Sequence, residues 1–268
     1  MASVPVPGAS PVRVAILDAQ GKTVRALAGT NAAGVNRIHW DLRHEPSTEV
    51  RLRTAPMYAP HIVVPPNGRV APGTSTLAIL APPGRYTVKL TAGGVEQTMP
   101  LEVRKDPNTG GTEADIDAQT RVLVALRDDL NAAADAVHRI EAARVQIEAI
   151  ARAVDDAEVR RAADSLQQRL VDLEMNLVDL RQTGAGQDGV RFGSKLVSKI
   201  AYLANGIASS DFKPTDQHVE VQQILARELR GHLAALDALL ARELAAFNEM
   251  LRQRNVPNVV VRPRIAGE

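Results

Sequence analysis

Hydrophobic residues follow two different periods along the chain, and the change between them falls near residue 110. Before that point, short runs alternate apolar and other residues, as in the stretch with Val12, Val14 and Ile16, which is typical of strands. After it, apolar residues recur every three or four positions, which is typical of amphipathic helices. The pattern therefore predicts a β domain followed by a helical domain.

Turn-forming residues separate the strands predicted for the first domain. Pro82-Pro83-Gly84 precedes one strand, and Gly93-Gly94 is a two-residue hairpin signal. Alternation places Trp40 and Tyr86 in the core of this domain. Short strands with regular turns predict a small antiparallel Ig-like β-sandwich. The predicted strands are 12–16, 23–27, 37–43, 86–90 and 95–103.

The second domain is predicted to consist of helices whose starts carry capping signals. Thr112-Glu-Ala-Asp115 resembles a capping box with Asp in place of Glu. Asp155–Glu158 marks a second start, and Pro214 opens the last helix, where a missing N–H costs little. We expect a glycine-rich loop over 183–193 and a short helix over about 194–208.

The lengths of these helices leave two arrangements open. The first and last helices each span about 40 residues, or ~60 Å. A three-helix rod with its middle helix broken at the glycine loop leaves no long helix half exposed, so we favour it over an up-down-up-down four-helix bundle. Both arrangements imply coiled-coil-like packing of the apolar stripes, which run from Val221 to Leu251 in the last helix. Gln119 and Arg144 interrupt the stripe of the first helix.

Together these patterns predict an α+β multidomain fold, with a small Ig-like β-sandwich followed by a long antiparallel α-helical bundle. Residues 44–76 contain six prolines and no clear period, so we expect a long surface loop belonging to the sandwich. The predicted boundaries are 1–106 for the sandwich, 107–112 for the linker, 113–253 for the bundle and 254–268 for a flexible tail.

Composition excludes several classes of site. The chain has no cysteine, which excludes disulfides, thiolate metal sites and cysteine nucleophiles. Its net charge is +1, with 32 basic and 31 acidic residues, which argues against a dedicated nucleic-acid binder. No apolar run approaches the ~18 residues of a transmembrane helix. The start, MASVPVPGAS, lacks the features of a signal peptide, so the sequence leaves the localisation unknown.

The motifs that could carry chemistry have simpler structural explanations. Residues 184–189 match G-x-G-x-x-G but follow a leucine-rich helix rather than a strand, so we expect a flexible loop. His138 and His232 lie beside the apolar stripes, and we expect partly exposed helix residues rather than a metal site. His39 and Asp41 would share one face of a strand, which a solvated polar face explains. We therefore assign no catalytic, cofactor-binding or metal-ligating residue.

The order of several short motifs resembles the C-terminal region of large bacterial sortilin-like proteins with an Asp-box (BNR) repeat β-propeller. The resemblance covers about residues 12–253, and members of that family are often labelled glycosyl hydrolase or exo-sialidase-like. The motifs are Asn36–Arg43 (NRIHWDLR), Pro83–Leu90 (PGRYTVKL), Lys105-Asp106-Pro107, Lys213–Asp216 (KPTD) and Phe247–Leu251 (FNEML).

The resemblance implies a role without catalysis in this chain. Glycosidase-type chemistry would belong to the propeller, and the chain lacks the Asp-box pattern Ser-x-Asp-x-Gly-x-x-Trp. Members of the family are usually exported. We therefore expect an accessory module that supports, orients or oligomerises a propeller, or binds another protein partner, with self-association as a further possibility.

Two other functions stay open at the level of sequence. A glycosyl hydrolase would need paired carboxylates in a cleft, for which Asp41, Glu45 and Glu49 are the candidates. A carbohydrate-binding β-sandwich would need exposed aromatic residues, and Tyr58 is the candidate in a loop.

Overall fold

The protein is an α+β chain with a small antiparallel sheet and several helices. Its structure, a computed structural model, describes residues 12–263. The chain divides into two compact units. Within the described residues, the first unit comprises 12–46, 78–124 and 207–214, and the second comprises 47–77, 125–206 and 215–263.

The first unit is built on one four-stranded antiparallel sheet with the order β2-β1-β5-β6. Four of the five predicted strands are confirmed in it. The Gly93-Gly94 hairpin is confirmed as well, and both glycines adopt the positive φ that such a two-residue turn requires. The described strands of the whole chain are β1 (Arg13–Leu17), β2 (Thr23–Ala28), β3 (Arg51–Leu52), β4 (Arg69–Val70), β5 (Gly84–Ala92) and β6 (Val95–Val103).

The predicted strand over 37–43 is wrong. This segment forms no strand and makes only an isolated bridge between Arg43 and Leu80. Leu42 has a φ of 58°, which ends any extended conformation, and its side chain is exposed rather than buried. The Trp40 indole N–H donates to the carbonyl of Arg43 at 2.8 Å, which stabilises the bend.

Trp40 still packs where the alternation predicts, against the core of the sheet. Its ring meets that of Tyr86 edge to face, with centroids 5.7 Å apart. Val14, Ile16 and Val24 complete the buried cluster. A second sheet facing this one is absent from the described part of the unit, so the Ig-like sandwich stays a prediction.

Six helices follow within residues 12–263, and the longest matches its predicted length. The first helix has 41 residues, of which those up to Val124 belong to the first unit and the others to the second. The helices are α1 (Glu113–Ala153), α2 (Ala157–Leu177), α3 (Asp188–Arg191), α4 (Leu196–Ile207), α5 (Asp216–Leu239) and α6 (Ala245–Gln253), with π-helical residues Leu240–Leu244 joining the last two. No helix in the range 12–263 is both long and apolar enough to span a membrane.

The predicted helix starts are confirmed, with one shift. Thr112 and Asp115 form the reciprocal hydrogen bonds of a capping box. Asp156 caps α2 through the N–H groups of Glu158 and Val159. Thr215 caps α5, so Pro214, which the sequence placed at the helix start, lies just before the cap.

Polar pairs within the second unit show the directions of its helices. Gln167 of α2 donates to the carbonyl of Arg144 in α1, close to the three-residue connection between the two helices, so they run antiparallel. Arg254, just after α6, pairs with Asp156, which caps the start of α2. Glu243, just before α6, pairs with Arg169 further along α2, so these two helices are also antiparallel. The long bundle as a whole stays a prediction.

The loop over 44–76 is predicted to belong to the β domain, and the structure differs. The segment after Pro46 belongs to the second unit instead. Residues 47–77 belong to the second unit, where β3 and β4 pair and Leu52 is fully buried. The backbone N–H of Thr48 donates to the side chain of Asn131 in α1 at 2.7 Å. Non-local hydrogen bonds of this kind leave no periodic signal in the sequence, which is why the segment resembled a free loop.

The predicted flexible tail is also corrected. Val259 is buried, and its N–H and carbonyl bond to the Asn248 side-chain amide at 2.8 and 2.9 Å. Gln146 of α1 bonds the N–H and carbonyl of Val260 in the same way, at 2.9 Å each. Residues 254–263 are therefore held against the helices by these two amides, while 1–11 and 264–268 lie outside the described residues.

Truncating Leu52 tests whether residues 47–77 are packed into the fold rather than forming a surface loop. Because its side chain is fully buried, Leu52→Ala should lower the free energy of unfolding by about 2–5 kcal/mol in urea denaturation. Val63→Ala is the matched control in the same segment, because Val63 is 87% exposed and should change stability by less than about 0.5 kcal/mol. Equal effects of the two substitutions would contradict this assignment.

Candidate functional site

A groove of about 1080 Å³ in the second unit is the candidate site. Residues 73–75 form one wall, and α4 and α5 form the others. The Ser198 hydroxyl donates to the carbonyl of Gly73 at 2.6 Å, and Asn205 donates to the hydroxyl of Ser75 at 3.4 Å. These bonds hold the irregular segment beside α4, so the groove is a built feature of this unit.

The groove combines an exposed aromatic ring with a positive charge. Tyr202 of α4 is 84% exposed, and Val221 of α5 is partly exposed beside the buried Leu225. Lys199 supplies the positive charge of the lining, which also contains His218 and no carboxylate. The groove is thus suited to an apolar side chain that lies next to a negative charge.

Sequence reasoning missed this groove. Val221 was assigned to the buried stripe of the last helix, but it lines the groove and is 42% exposed. Tyr202 and Lys199 lie on a short helix whose partner surface, residues 73–75, comes from more than a hundred residues earlier. The one local signal was Tyr202, the only aromatic residue of that helix.

A second polar feature of the unit is a pair of fully buried carboxyl groups, those of Glu141 in α1 and Glu174 in α2. Arg144 donates to both of them, at 2.8 and 2.7 Å. The backbone N–H and the hydroxyl of Thr54 also donate to Glu141, each at 2.7 Å, and so does the N–H of Arg53. This cluster accounts for the Arg144 that interrupts the apolar stripe of the first helix.

The environment of Glu174 favours its protonated form. Burial raises the pKa of Glu174 well above its usual range, and the neighbouring charge of Glu141 raises that pKa further. Arg144 opposes both effects without cancelling them. Burial also lowers the pKa of Arg69, which donates to the carbonyls of Thr54 and Gln182 at 3.1 Å each.

The buried pair joins elements together rather than forming a reaction centre. Paired carboxylates can act as acid and base when a substrate reaches them. Glu141 and Glu174 have no exposed surface, so no substrate can contact them in this conformation. Their hydrogen bonds instead join residues 53–54 to the α1–α2 pair.

The carboxylates considered for a glycosyl hydrolase are not gathered into an acid–base pair in either unit. In the first unit, Asp41 accepts from the N–H of Arg43, and Glu45 lies 3.9 Å from Arg25. In the second unit, Glu49 forms an ion pair with Arg51 at 2.5 Å. Each carboxylate thus has a partner close by in its own unit.

The glycine-rich motif at 184–189 has an internal acceptor. The Asp188 carboxylate accepts from the N–H groups of Thr183 and Gly184 at 2.6 and 3.1 Å. A phosphate-binding loop would offer such N–H groups to its ligand, and a carboxylate in their place would repel it. Only the four-residue helix α3 follows, so the expected loop is found and the nucleotide motif lacks its structural context.

The histidines are partly exposed, as expected. His138 accepts a hydrogen bond from the N–H of Arg51 at 3.0 Å, and His232 lies 3.9 Å from Glu228. Across residues 12–263, no group of three or more His, Asp or Glu side chains is placed to hold a metal ion.

No protein-family model matches the chain, and neither a curated protein nor a solved structure matches it. The resemblance to sortilin-like propeller proteins therefore rests on the sequence motifs alone.

Replacing Glu174 by Gln should change how stability depends on pH. Because the folded protein holds the proton on Glu174 more tightly than the unfolded chain does, the contribution of Glu174 to stability should fall as pH rises above about 4.5. This contribution can change by up to about 1.4 kcal/mol per pH unit. Glu174→Gln cannot ionise, so in urea denaturation its stability relative to the wild type should rise from about pH 4.5 to about pH 8.

The control is Glu148→Gln, which makes the same chemical change at a partly exposed position of α1, where the carboxylate pairs with Arg152. This variant should follow the wild-type pH profile. If the profiles of Glu174→Gln and the wild type were parallel, Glu174 would be ionised in the folded protein at the same pH as in the unfolded chain.

Proposed function

We propose that this chain is a non-catalytic accessory module that binds a protein partner through the groove lined by α4 and α5. The single observation that carries the proposal is Tyr202, a large aromatic side chain left 84% exposed on a groove of about 1080 Å³. Exposed aromatic residues beside concave apolar surface are typical of protein–protein contacts. The burial of Glu141 and Glu174 also favours a binding role over a hydrolytic one.

The partner proposed is a β-propeller of the sortilin-like, Asp-box type. The order of motifs from Asn36–Arg43 to Phe247–Leu251 supports it, since such modules follow a propeller in the proteins that the chain resembles. The proposal includes an Ig-like sandwich for the first unit and a long, coiled-coil-like helical bundle for the second. The four-stranded sheet and the antiparallel helix pairs are compatible with both.

The lining of the groove defines the segment that it would accept. Lys199 supplies a positive charge, the lining offers no carboxylate, and Val221 and Leu225 provide apolar contact beside Tyr202. The complementary segment carries an apolar side chain next to an Asp or Glu. Charge complementarity of this kind mainly sets specificity and the association rate.

Mixing the purified chain with a propeller domain from the same genome tests the proposal. Size-exclusion chromatography with light scattering should show the mass of a complex. Tyr202→Ala should weaken the complex at least tenfold, because truncating a central aromatic residue removes a large share of the binding energy. Since Tyr202 is mostly exposed, this substitution should leave the fold unchanged.

Tyr58→Ala is the matched control, because Tyr58 is 71% exposed and lies outside the groove lining in the same unit. It should bind the propeller like the wild type. A stable homodimer that ignores the propeller would contradict the proposed partner, and equal effects of the two tyrosine substitutions would contradict the proposed site. If Tyr58→Ala instead abolished binding to a glycan, carbohydrate recognition would be the better assignment.

A further inference from the structure

A separate cavity of about 390 Å³ in the second unit is lined by cationic and neutral residues. Its volume lies within the range of small-molecule sites. The side chains of Ala142 and Val145 give it an apolar part, and the lining contains no Asp or Glu. The lining residues are Arg51, Arg53, Asn67, His138, Ala142, Val145 and Arg262.

One of the three guanidinium charges is uncompensated. Arg51 pairs with Glu49 at 2.5 Å, and Arg262 pairs with Asp135 at 2.9 Å. The Arg53 side chain has neither a hydrogen bond nor an ion pair with any residue in the range 12–263. Its backbone N–H, however, donates to the buried Glu141, which fixes the position from which the side chain extends.

The positive charges of these arginines affect the pKa of His138. Burial lowers the pKa of this imidazole, and the charges of Arg262 and Arg53 lower that pKa further, while Asp135 opposes them. The ring is therefore neutral at neutral pH, and its Nε2 accepts the N–H of Arg51 at 3.0 Å. A neutral imidazole adds no charge to the site but fixes the backbone beside Arg53.

The third arginine comes from the terminal segment of the described chain. Arg262 lies two residues after Val260, the last of the residues held by the side-chain amides of Gln146 and Asn248. Each of these amides bonds both the N–H and the carbonyl of one residue, Val260 and Val259 respectively. The cavity is therefore complete only when this segment lies against α1 and α6.

We infer that this cavity binds a small molecule that carries an oxyanion, a phosphate or a carboxylate, next to an apolar group, and that the terminal segment completes the site by supplying Arg262. Planar guanidinium groups bind both oxyanions through paired N–H donors. The apolar group would lie against Ala142 and Val145. This inference is independent of the proposed protein partner, because the two sites share no lining residue.

Isothermal titration calorimetry of the full chain at constant ionic strength tests the site. Phenyl phosphate and benzoate are the probes for the two oxyanions, and inorganic phosphate is the probe without an apolar group. One saturable site is expected for phenyl phosphate or benzoate, and the tighter of the two identifies the oxyanion. Weaker binding of inorganic phosphate than of phenyl phosphate would support the apolar contact. Lack of saturable binding by all three probes would overturn the inference.

Arginine variants test where the probe binds. Arg53→Ala and Arg262→Ala should each weaken the better probe at least about tenfold, as expected for the loss of a charge-assisted contact. Both side chains are exposed, but Arg262→Ala also removes the ion pair of the buried Asp135, so circular dichroism of each variant must first show the wild-type fold. Arg104→Ala is the control, because Arg104 is an exposed arginine of the first unit. Wild-type affinity in Arg53→Ala would overturn the assignment of the site.

Loosening the terminal segment tests its part in the site. Gln146→Ala should raise hydrogen exchange at the Val260 amide and weaken the probe to about the level of Arg262→Ala, with an unchanged circular dichroism spectrum. In the wild type, the probe should slow exchange at the same amide. Full affinity in Arg262→Ala, or unchanged exchange at Val260 on binding, would show that the segment does not complete the site.

Discussion

The second unit depends on one interaction, the hydrogen bonding of the buried Glu141 carboxylate. It is fully buried in α1, yet it accepts hydrogen bonds from the N–H groups of Arg53 and Thr54 and from the Thr54 hydroxyl. An ion in such a place is tolerated only when its oxygens are satisfied. Arg144 provides the compensating charge and extends the network to Glu174 in α2. Residues 53–54, which follow directly after β3, are thus bound to two helices at one point.

Hydrogen bonds from backbone groups to side chains of α1 recur along this helix. They explain how segments that are not helical can cover it. Backbone N–H groups that leave water need partners, and a helix has none to offer from its own backbone. Here its side chains act as the partners. Asn131 accepts from Thr48, His138 accepts from Arg51, and Gln146 binds Val260 on both sides.

Local chemistry explains which features the sequence could predict. Alternation, hairpin glycines and capping residues act over a few positions, and the strands β1, β2, β5 and β6 and the starts of α1 and α2 follow from them. The segment 47–77 and residues 254–263 were mispredicted because their partners lie far away in sequence. The groove and the arginine-lined cavity could not be predicted for the same reason, because the lining of each comes from segments far apart in sequence. Arg144, a charge within an apolar stripe, was the one local sign of the buried network.

The contacts of Thr48 and Arg51 with α1 match the rise of an extended chain to the rise of a helix. From Thr48 to Arg51 an extended chain advances about 10 Å, at about 3.3 Å per residue. From Asn131 to His138 the helix advances about 10.5 Å, at 1.5 Å per residue. Three residues of the extended segment therefore cover the same distance as seven residues of α1, and the two run in the same direction. During evolution, an insertion or deletion between residues 48 and 51 would break this register. The glycine-rich loop at 183–193 is held by short-range contacts instead, from Asp188 to Thr183 and Gly184 and from Arg181 to the Phe192 ring. A change in chain length there would alter these local contacts and not the register along α1.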